Sequence, residues 1–368
     1  MSDVYFISRD TGPGRSLIDK VNRLIKKIGF SKHLLKNDLV AIKVHFGALG
    51  LTTYLRPIFI RPFADEVKGA GAYAFVTDAN TIYKGSRTNG PQHLETAIKN
   101  GFSYSSVGAP LIIADGINSE DYVEAETDGE IVDKAFVAGE TQRASAMIVI
   151  SHFKGHEMFG FGGAVKNIGM GLASKRGKLL LHSTTKPFIK EKACRKCGNC
   201  VHWCPADAVD IETDHMVINN DRCIGCGQCI MVCPYNAAKI QWDIDFTEGQ
   251  KKTAEYAMAV LKPKREKIWF FNFLVDITPD CDCFPFSDTP IVNDIGILAS
   301  VDPIAIDQAS YDMVTDAYSV SAGRAAGAGR GEDKFAEVHQ GISPEPMLSH
   351  GEKIGLGSRD YRIINIEN

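Results

Sequence analysis

Long apolar runs, a leader-like N-terminus and charge of one sign are all missing from this sequence, and each absence removes a class of function. No apolar stretch approaches the roughly 18 residues that a membrane-spanning helix requires, so no membrane span is expected. Residues Met1 to Arg15 contain no basic segment leading into an apolar one, so a cytoplasmic rather than secreted protein is expected. With 41 Lys+Arg against 45 Asp+Glu the formal net charge is -4, whereas a nucleic-acid partner would call for a basic face. Standard nucleotide loops are missing too. Gly12-Pro-Gly14 and the glycine-rich stretch from Gly160 to Gly171 fit neither G-x-x-x-x-G-K-[ST] nor G-x-G-x-x-G. Cysteine is scarce outside one short segment. Of ten cysteines, eight lie between Cys194 and Cys233, and the others are Cys281 and Cys283. A secreted disulfide framework spreads its cysteines through a short chain, so this clustering in 368 residues points to thiolate metal ligands.

What remains has the balance of a globular protein, 44% hydrophobic and 23% charged, and is long enough for two to three domain-sized units. Apolar runs alternate with helical periods. Strands are expected at Val4–Ser8, Leu39–His45, Ala74–Asp78, Leu111–Asp115, Ala144–Ser151, Lys267–Asp276 and Arg362–Glu367. Helices are expected at Leu17–Ile28, Ile58–Val67, Pro91–Asn100 and Gln250–Leu261, and another opens at Asp302-Pro303. Strands apolar throughout are buried on both faces, which predicts an α/β fold with a mostly parallel, doubly wound sheet. Between Lys190 and Ile240 the composition shifts abruptly to Cys, Gly, Pro and Asn. The expected organisation is one α/β domain in two chain segments, residues 1–188 and 242–368, with a small α+β domain of the bacterial ferredoxin type inserted at 189–241. A linear array of three domains is the alternative.

The inserted segment carries C-x2-C-x2-C-x3-C-P twice, as Cys194, Cys197, Cys200, Cys204-Pro205 and as Cys223, Cys226, Cys229, Cys233-Pro234. The similarity runs on past the cysteines, so one cluster-binding unit has been duplicated. Zinc takes four thiolates from two C-x2-C pairs and seldom uses this run twice. The segment resembles the bacterial two-cluster ferredoxins, and the resemblance implies two [4Fe–4S] clusters in which the fourth ligand of each comes from the other half. Cys194, Cys197, Cys200 and Cys233 would then hold one cluster, and Cys223, Cys226, Cys229 and Cys204 the other.

A second site is expected at the carboxyl ends of the parallel strands, where open α/β sheets bind ligands. The polar residues there are Lys43 and His45, then Asp78 and Asn80, then His152 and His156, followed by Lys166 and Asn167 in the glycine-rich segment. That segment is expected either to cradle an anion with backbone N–H groups and Lys166, or to form tight turns. Cys281-Asp-Cys283 follows the buried 267–276 run, as two inert thiols, redox-active thiolates or ligands of an additional metal.

Taken with Lys43-Val-His45-Phe-Gly47, Gly162 to Gly169, Cys281-Asp-Cys283 and Asp302 to Asp307, the chain resembles an iron–sulfur member of the domain-of-unknown-function 362 family along nearly its whole length. The resemblance implies an α/β body with a two-cluster module and supplies no reaction. A similarity a few residues long, Phe159 to Lys166, is to the lactate racemase family, which binds a nickel pincer cofactor. The leading expectation is a ferredoxin-type redox protein relaying electrons from a redox partner protein to a small-molecule site. That site would be formed by His45, Asp78, Asn80, His152, His156, Lys166 and Asn167, with Cys281 and Cys283. The alternatives are a non-catalytic electron carrier whose α/β body docks a partner, and a metal-dependent isomerase or racemase.

Overall fold

A computed structural model describes residues 1–83, 85–182, 186–223, 225, 227–239 and 246–367. Its centre is an eight-stranded sheet: β1 (Ser2–Ser8), β2 (Leu39–Lys43), β3 (Tyr73–Asp78), β4 (Leu111–Ile113), β5 (Ala146–His152), β6 (Ile268–Leu274), β7 (Gly296–Ser300) and β8 (Tyr361–Asn365), in the order β8-β1-β7-β6-β5-β2-β3-β4. Seven strands run the same way and β7 alone is antiparallel, pairing with β6 and β1. The mostly parallel α/β sheet expected from the alternating periods is therefore present, built from chain on both sides of the cysteine-rich segment. Strand β7 was not anticipated. It returns from β6 through a loop rather than a crossover helix, which is the connection that permits an antiparallel neighbour.

Strict alternation divides the sheet into two faces. Val40, Ile42, Ile148, Ile150, Phe271 and Phe273 pack beneath α1 (Leu17–Ile28), α2 (Arg61–Gly69) and α3 (Gly90–Lys99). Met147, Val149, Phe270 and Leu298 pack against the opposite layer. That layer comprises α4 (Ala164–Gly169), α5 (Lys175–His182), α6 (Phe246–Leu261), α7 (Pro303–Asp316) and α8 (Glu345–Lys353). Helix ends follow local chemistry. Ser16 and Asp19 form a capping box on α1, and Gly29 closes it with φ 68°. On α7 Asp302 accepts from the Ile304 and Ala305 N–H groups, with Pro303 inside the first turn. Among the described residues no helix is long and apolar enough to cross a membrane.

Between α5 and α6 the described residues form small elements only. Phe188–Ile189 pairs with Ala238–Lys239, Val209–Ile211 pairs with Met216–Ile218, and short helices span Asn199–His202 and Gln228–Val232.

Candidate functional site

The carboxyl ends of β2, β3, β5 and β6 open onto a single cavity of about 660 Å³. Lys43, the last residue of β2, is fully buried. Its Nζ lies 3.0 Å from Asp78 Oδ1 at the end of β3 and donates to Asn167 Oδ1 at 2.6 Å. Burial disfavours the charge of Asp78, yet Lys43 and then His93, at 3.6 Å, hold its carboxyl well below the usual range. Burial likewise lowers the Lys43 ammonium, and Asp78 opposes that. Asn167 also donates to Ile150 O and Ser151 Oγ, so it braces the ion pair against β5. Asn80 is placed apart from this group. Its side chain and backbone N–H donate to Asp115 Oδ1, anchoring the loop after β3, and it does not line the cavity.

His152, ending β5, faces acceptors with both ring nitrogens. Nδ1 lies 2.9 Å from Asp282 Oδ2, and Nε2 lies 2.9 and 3.0 Å from the carbonyl oxygens of Val275 and Asp276. The ring is thereby committed to fixing the loop after β6, the loop that carries Cys281 and Cys283. Gly155 permits the same approach from below, since a Cβ there would fall 1.9 Å from Pro279 O. His152, Lys154 and His156 share a parity along the chain, and all three line the cavity. His156 Nδ1 accepts the Met158 N–H at 3.1 Å, while burial and then Lys166 hold its pKa well below the ordinary value.

Cys281 and Cys283 sit with their sulfurs 3.1 Å apart. Their mutual hydrogen bond splits them. Cys281 is raised well above an ordinary thiol, and Cys283 is held well below one, with Lys166 and His45 adding to the effect against burial. Lys166 Nζ is 3.7 Å from Cys281 Sγ, and His45 Nε2 is 3.7 Å from Cys283 Sγ. Burial lowers the Lys166 ammonium, but the two sulfurs outweigh it and the net shift is upward. His45 also meets the Arg87 guanidinium at 2.7 Å, and burial followed by that charge lowers the imidazole's pKa. Arg87 in turn donates to the Tyr83 hydroxyl at 2.8 Å.

The glycine-rich segment resolves differently from the anion-cradle expectation. The first N–H groups of α4 are satisfied by the chain itself: Ala164 and Val165 donate to the two Asp307 oxygens at 2.7 and 2.9 Å. A Cβ on Gly163 would fall 2.3 Å from Asp307 Oδ1, so this glycine admits the carboxylate. Burial raises Asp307 to about 6. The anion at that helix end is internal, and Lys166 is left to face the thiols.

In the small segment the cysteines gather into two further cavities. One is lined by Cys194, Cys197, Cys200 and Cys233, the other by Cys204, Cys223 and Cys229. Cys226 lies outside the described residues. The backbone itself repeats. Left-handed residues pair as Lys196 with Gly225, Gly198 with Gly227 and Asp207 with Asn236, at the same 29-residue interval that separates Cys194 from Cys223. Backbone N–H groups of Ala208, Gly225 and Ala237 donate to the sulfurs of Cys204, Cys223 and Cys233 at 3.2, 3.4 and 3.1 Å. This segment touches the body. A Cβ on Gly227 would stand 3.4 Å from Ile82 Cδ1, and Ile82 lines the large cavity. Among the described residues, no group of three or more His, Cys, Asp or Glu converges to hold a metal ion.

Sequence reasoning missed Tyr83, Arg87, Lys154, Lys178 and Asp282. Lys154 had a usable signal, the period-two spacing with His152 and His156. Arg87 had none, because the loop from Ala79 to Asn89 folds back through hydrogen bonds of Thr81 and Thr88 that no periodicity announces.

Comparison with known proteins gives a family and little else. The profile of a domain of unknown function, DUF362, matches residues 40–312. No curated protein matches the chain. Among solved structures it is similar to the lactate racemase apoprotein from Thermoanaerobacterium thermosaccharolyticum, at 13% identity and a TM-score of 0.37, over 75% of this chain and 51% of that one. It is also similar to a structural-genomics protein from Thermotoga maritima, at 10% identity and a TM-score of 0.37, over 81% of this chain and 56% of that one. The chain thus spans about half the length of each.

Proposed function

Because the chain belongs to the DUF362 family, whose description assigns no reaction, its function must be argued from geometry, and we propose an iron–sulfur redox protein that passes single electrons to a reduction site in the large cavity. The observation that carries this reading is the composition of the two small cavities. Cys233 joins Cys194, Cys197 and Cys200, and Cys204 joins Cys223 and Cys229, so one cysteine of each half lines the cavity of the other, which supports a crossed set of ligands. Two [4Fe–4S] clusters need that exchange, with Cys226 completing the second set. The left-handed residues recur at matching places in both halves, and backbone N–H groups of Ala208, Gly225 and Ala237 donate to cysteine sulfurs there, which supports one repeated cluster-binding loop.

When bound, such clusters carry one electron at a time between a soluble redox partner and the body of the protein. Gly225 and Gly227 belong to the loop that carries Cys223 and Cys229, and a Cβ on Gly227 would stand 3.4 Å from Ile82, which lines the large cavity; this supports an electron path from that set toward the cavity. There the chain supplies a thiol–thiolate pair, Cys281 and Cys283, and a charged lysine, Lys166, to hold or deliver a proton. His152 and Asp282 fix the thiol loop, and Lys43, Asp78 and Asn167 stiffen the cavity floor. Anaerobically purified Cys204→Ala and Cys233→Ala proteins should each hold about half the wild-type iron, because each loses a ligand of a different cluster. Full iron in both variants refutes the ligand sets.

A further inference from the structure

Among the described residues, four cationic side chains line the large cavity, Arg87, Lys154, Lys166 and Lys178, against the carboxylates Asp78, Glu157 and Asp282 and the Cys283 sulfur. Asp78 is already matched by Lys43 at 3.0 Å, and Asp282 is engaged by the His152 ring at 2.9 Å. Lys154 is the exceptional cation. It is only 8% exposed, and among the described residues its ammonium makes no direct ion pair or hydrogen bond, the carboxylates of Asp282 and Asp307 acting on it from longer range. A buried ammonium without a partner carries a desolvation cost that a bound anion removes. Gly162 keeps the place open, because a Cβ there would fall 2.5 Å from Lys154 Nζ and 3.6 Å from Lys166 Cδ. The two lysines therefore flank one glycine on the side of the cavity that carries the thiols, with Lys166 Nζ 3.7 Å from Cys281 Sγ.

We propose that the cavity binds a small carboxylate-bearing anion, seated between the Lys154 and Lys166 ammonium groups beside the Cys281–Cys283 pair. This deepens the preceding reading by naming the substrate class, and rests on the same cavity. A metal cation at that place would meet the same ammonium groups as repulsion, so the charge pattern selects an anion. Apolar walls from Ile82, Met158 and Phe284 would face the remainder of the ligand.

The test uses two alkylating reagents of nearly equal size, iodoacetate, which carries the carboxylate, and neutral iodoacetamide. The anaerobic holoprotein is treated with each, and modification of Cys283 is followed by peptide mapping. Relative to an unstructured cysteine peptide, the iodoacetate-to-iodoacetamide rate ratio at Cys283 should rise by at least about ten-fold, the effect of one charge-assisted hydrogen bond. Lys154→Met should lower the ratio several-fold toward the peptide value, and Lys154→Arg should retain the preference. A wild-type ratio equal to that of the peptide overturns the proposal. So does an unchanged ratio in folded Lys154→Met, or a Cys283 that neither reagent reaches before unfolding. Iron content measured on the same samples separates this outcome from failure of the electron-relay reading, because alkylation consumes no electrons.

Discussion

Replacing Lys43 by methionine is the most demanding check on the body of the cavity. The substitution keeps the side-chain volume and removes a charge from a pair in which Lys43 is fully buried and Asp78 nearly so. Asp78 would be left with the Ala79 N–H at 2.9 Å and His93 at 3.6 Å. Breaking a buried ion pair by removing one partner costs about 3–5 kcal/mol, which for a body of this size lowers Tm by about 4–8 °C. The sign with pH follows from the carboxyl. In the wild type Asp78 is held well below its ordinary value, so its contribution is present above about pH 4 and is lost only as pH falls through the depressed folded value. In the variant, burial without Lys43 raises Asp78, and the variant should gain on the wild type as pH falls from 7 toward 5. Denaturant unfolding of Lys43→Met, Asp78→Asn and the double variant measures this. The double variant should recover most of the loss, short of about 1 kcal/mol for the hydrogen bond to Asn167. A single variant within about 1 kcal/mol of the wild type, or a double variant no more stable than the single one, refutes the reasoning.

Three further outcomes are expected. Because Cys283 is held well below the ordinary thiol range, first by Cys281, its alkylation by iodoacetamide should fall less steeply from pH 8 to 6 than that of a free cysteine, which slows about ten-fold per unit; Cys281→Ala should restore most of the slope and Lys166→Met a smaller part, as stopped-flow and mapping would show. Gly155→Ala places a methyl 1.9 Å from Pro279 O, a backbone atom that cannot rotate away, and should cost about 1–3 kcal/mol in unfolding and change Cys283 reactivity. Burial pushes Lys178 down to about 8, so its charge disappears as pH rises past that point; the iodoacetate preference at Cys283 should fall between pH 7 and 9 in the wild type and hold in Lys178→Arg.

The elements most legible in the sequence were those with long, clean periods. Leu17–Ile28 forms the helix that its spacing predicts, and the apolar run from Lys267 to Asp276 contains the wholly buried β6. The convergence of strand ends was legible in kind, since His45, Asp78, His152, His156, Lys166, Asn167, Cys281 and Cys283 all line one cavity. Roles were not legible. Whether a histidine faces a ligand or fixes a loop depends on partners far along the chain, as with His152 and Asp282, 130 residues apart. The same is true of the glycine-rich segment, whose apparent invitation to an anion is answered by Asp307, over 140 residues away. Asn80 looked equivalent to Asp78 two positions earlier, but the chain turns after β3 and sends it to Asp115 instead. Strand β7 was missed because Gly296-Ile-Leu-Ala-Ser300 is short, and an apolar run of that length fits a strand or a helix equally well.

The central claim is the two-cluster assignment, and the most direct measurement is iron, acid-labile sulfide and zinc on anaerobically purified full-length protein, with EPR of the dithionite-reduced form. The account predicts about eight iron and about eight sulfide per chain, with paramagnetic signals from two neighbouring [4Fe–4S] clusters after reduction. Stoichiometric zinc without sulfide, and no EPR signal on reduction, would contradict it.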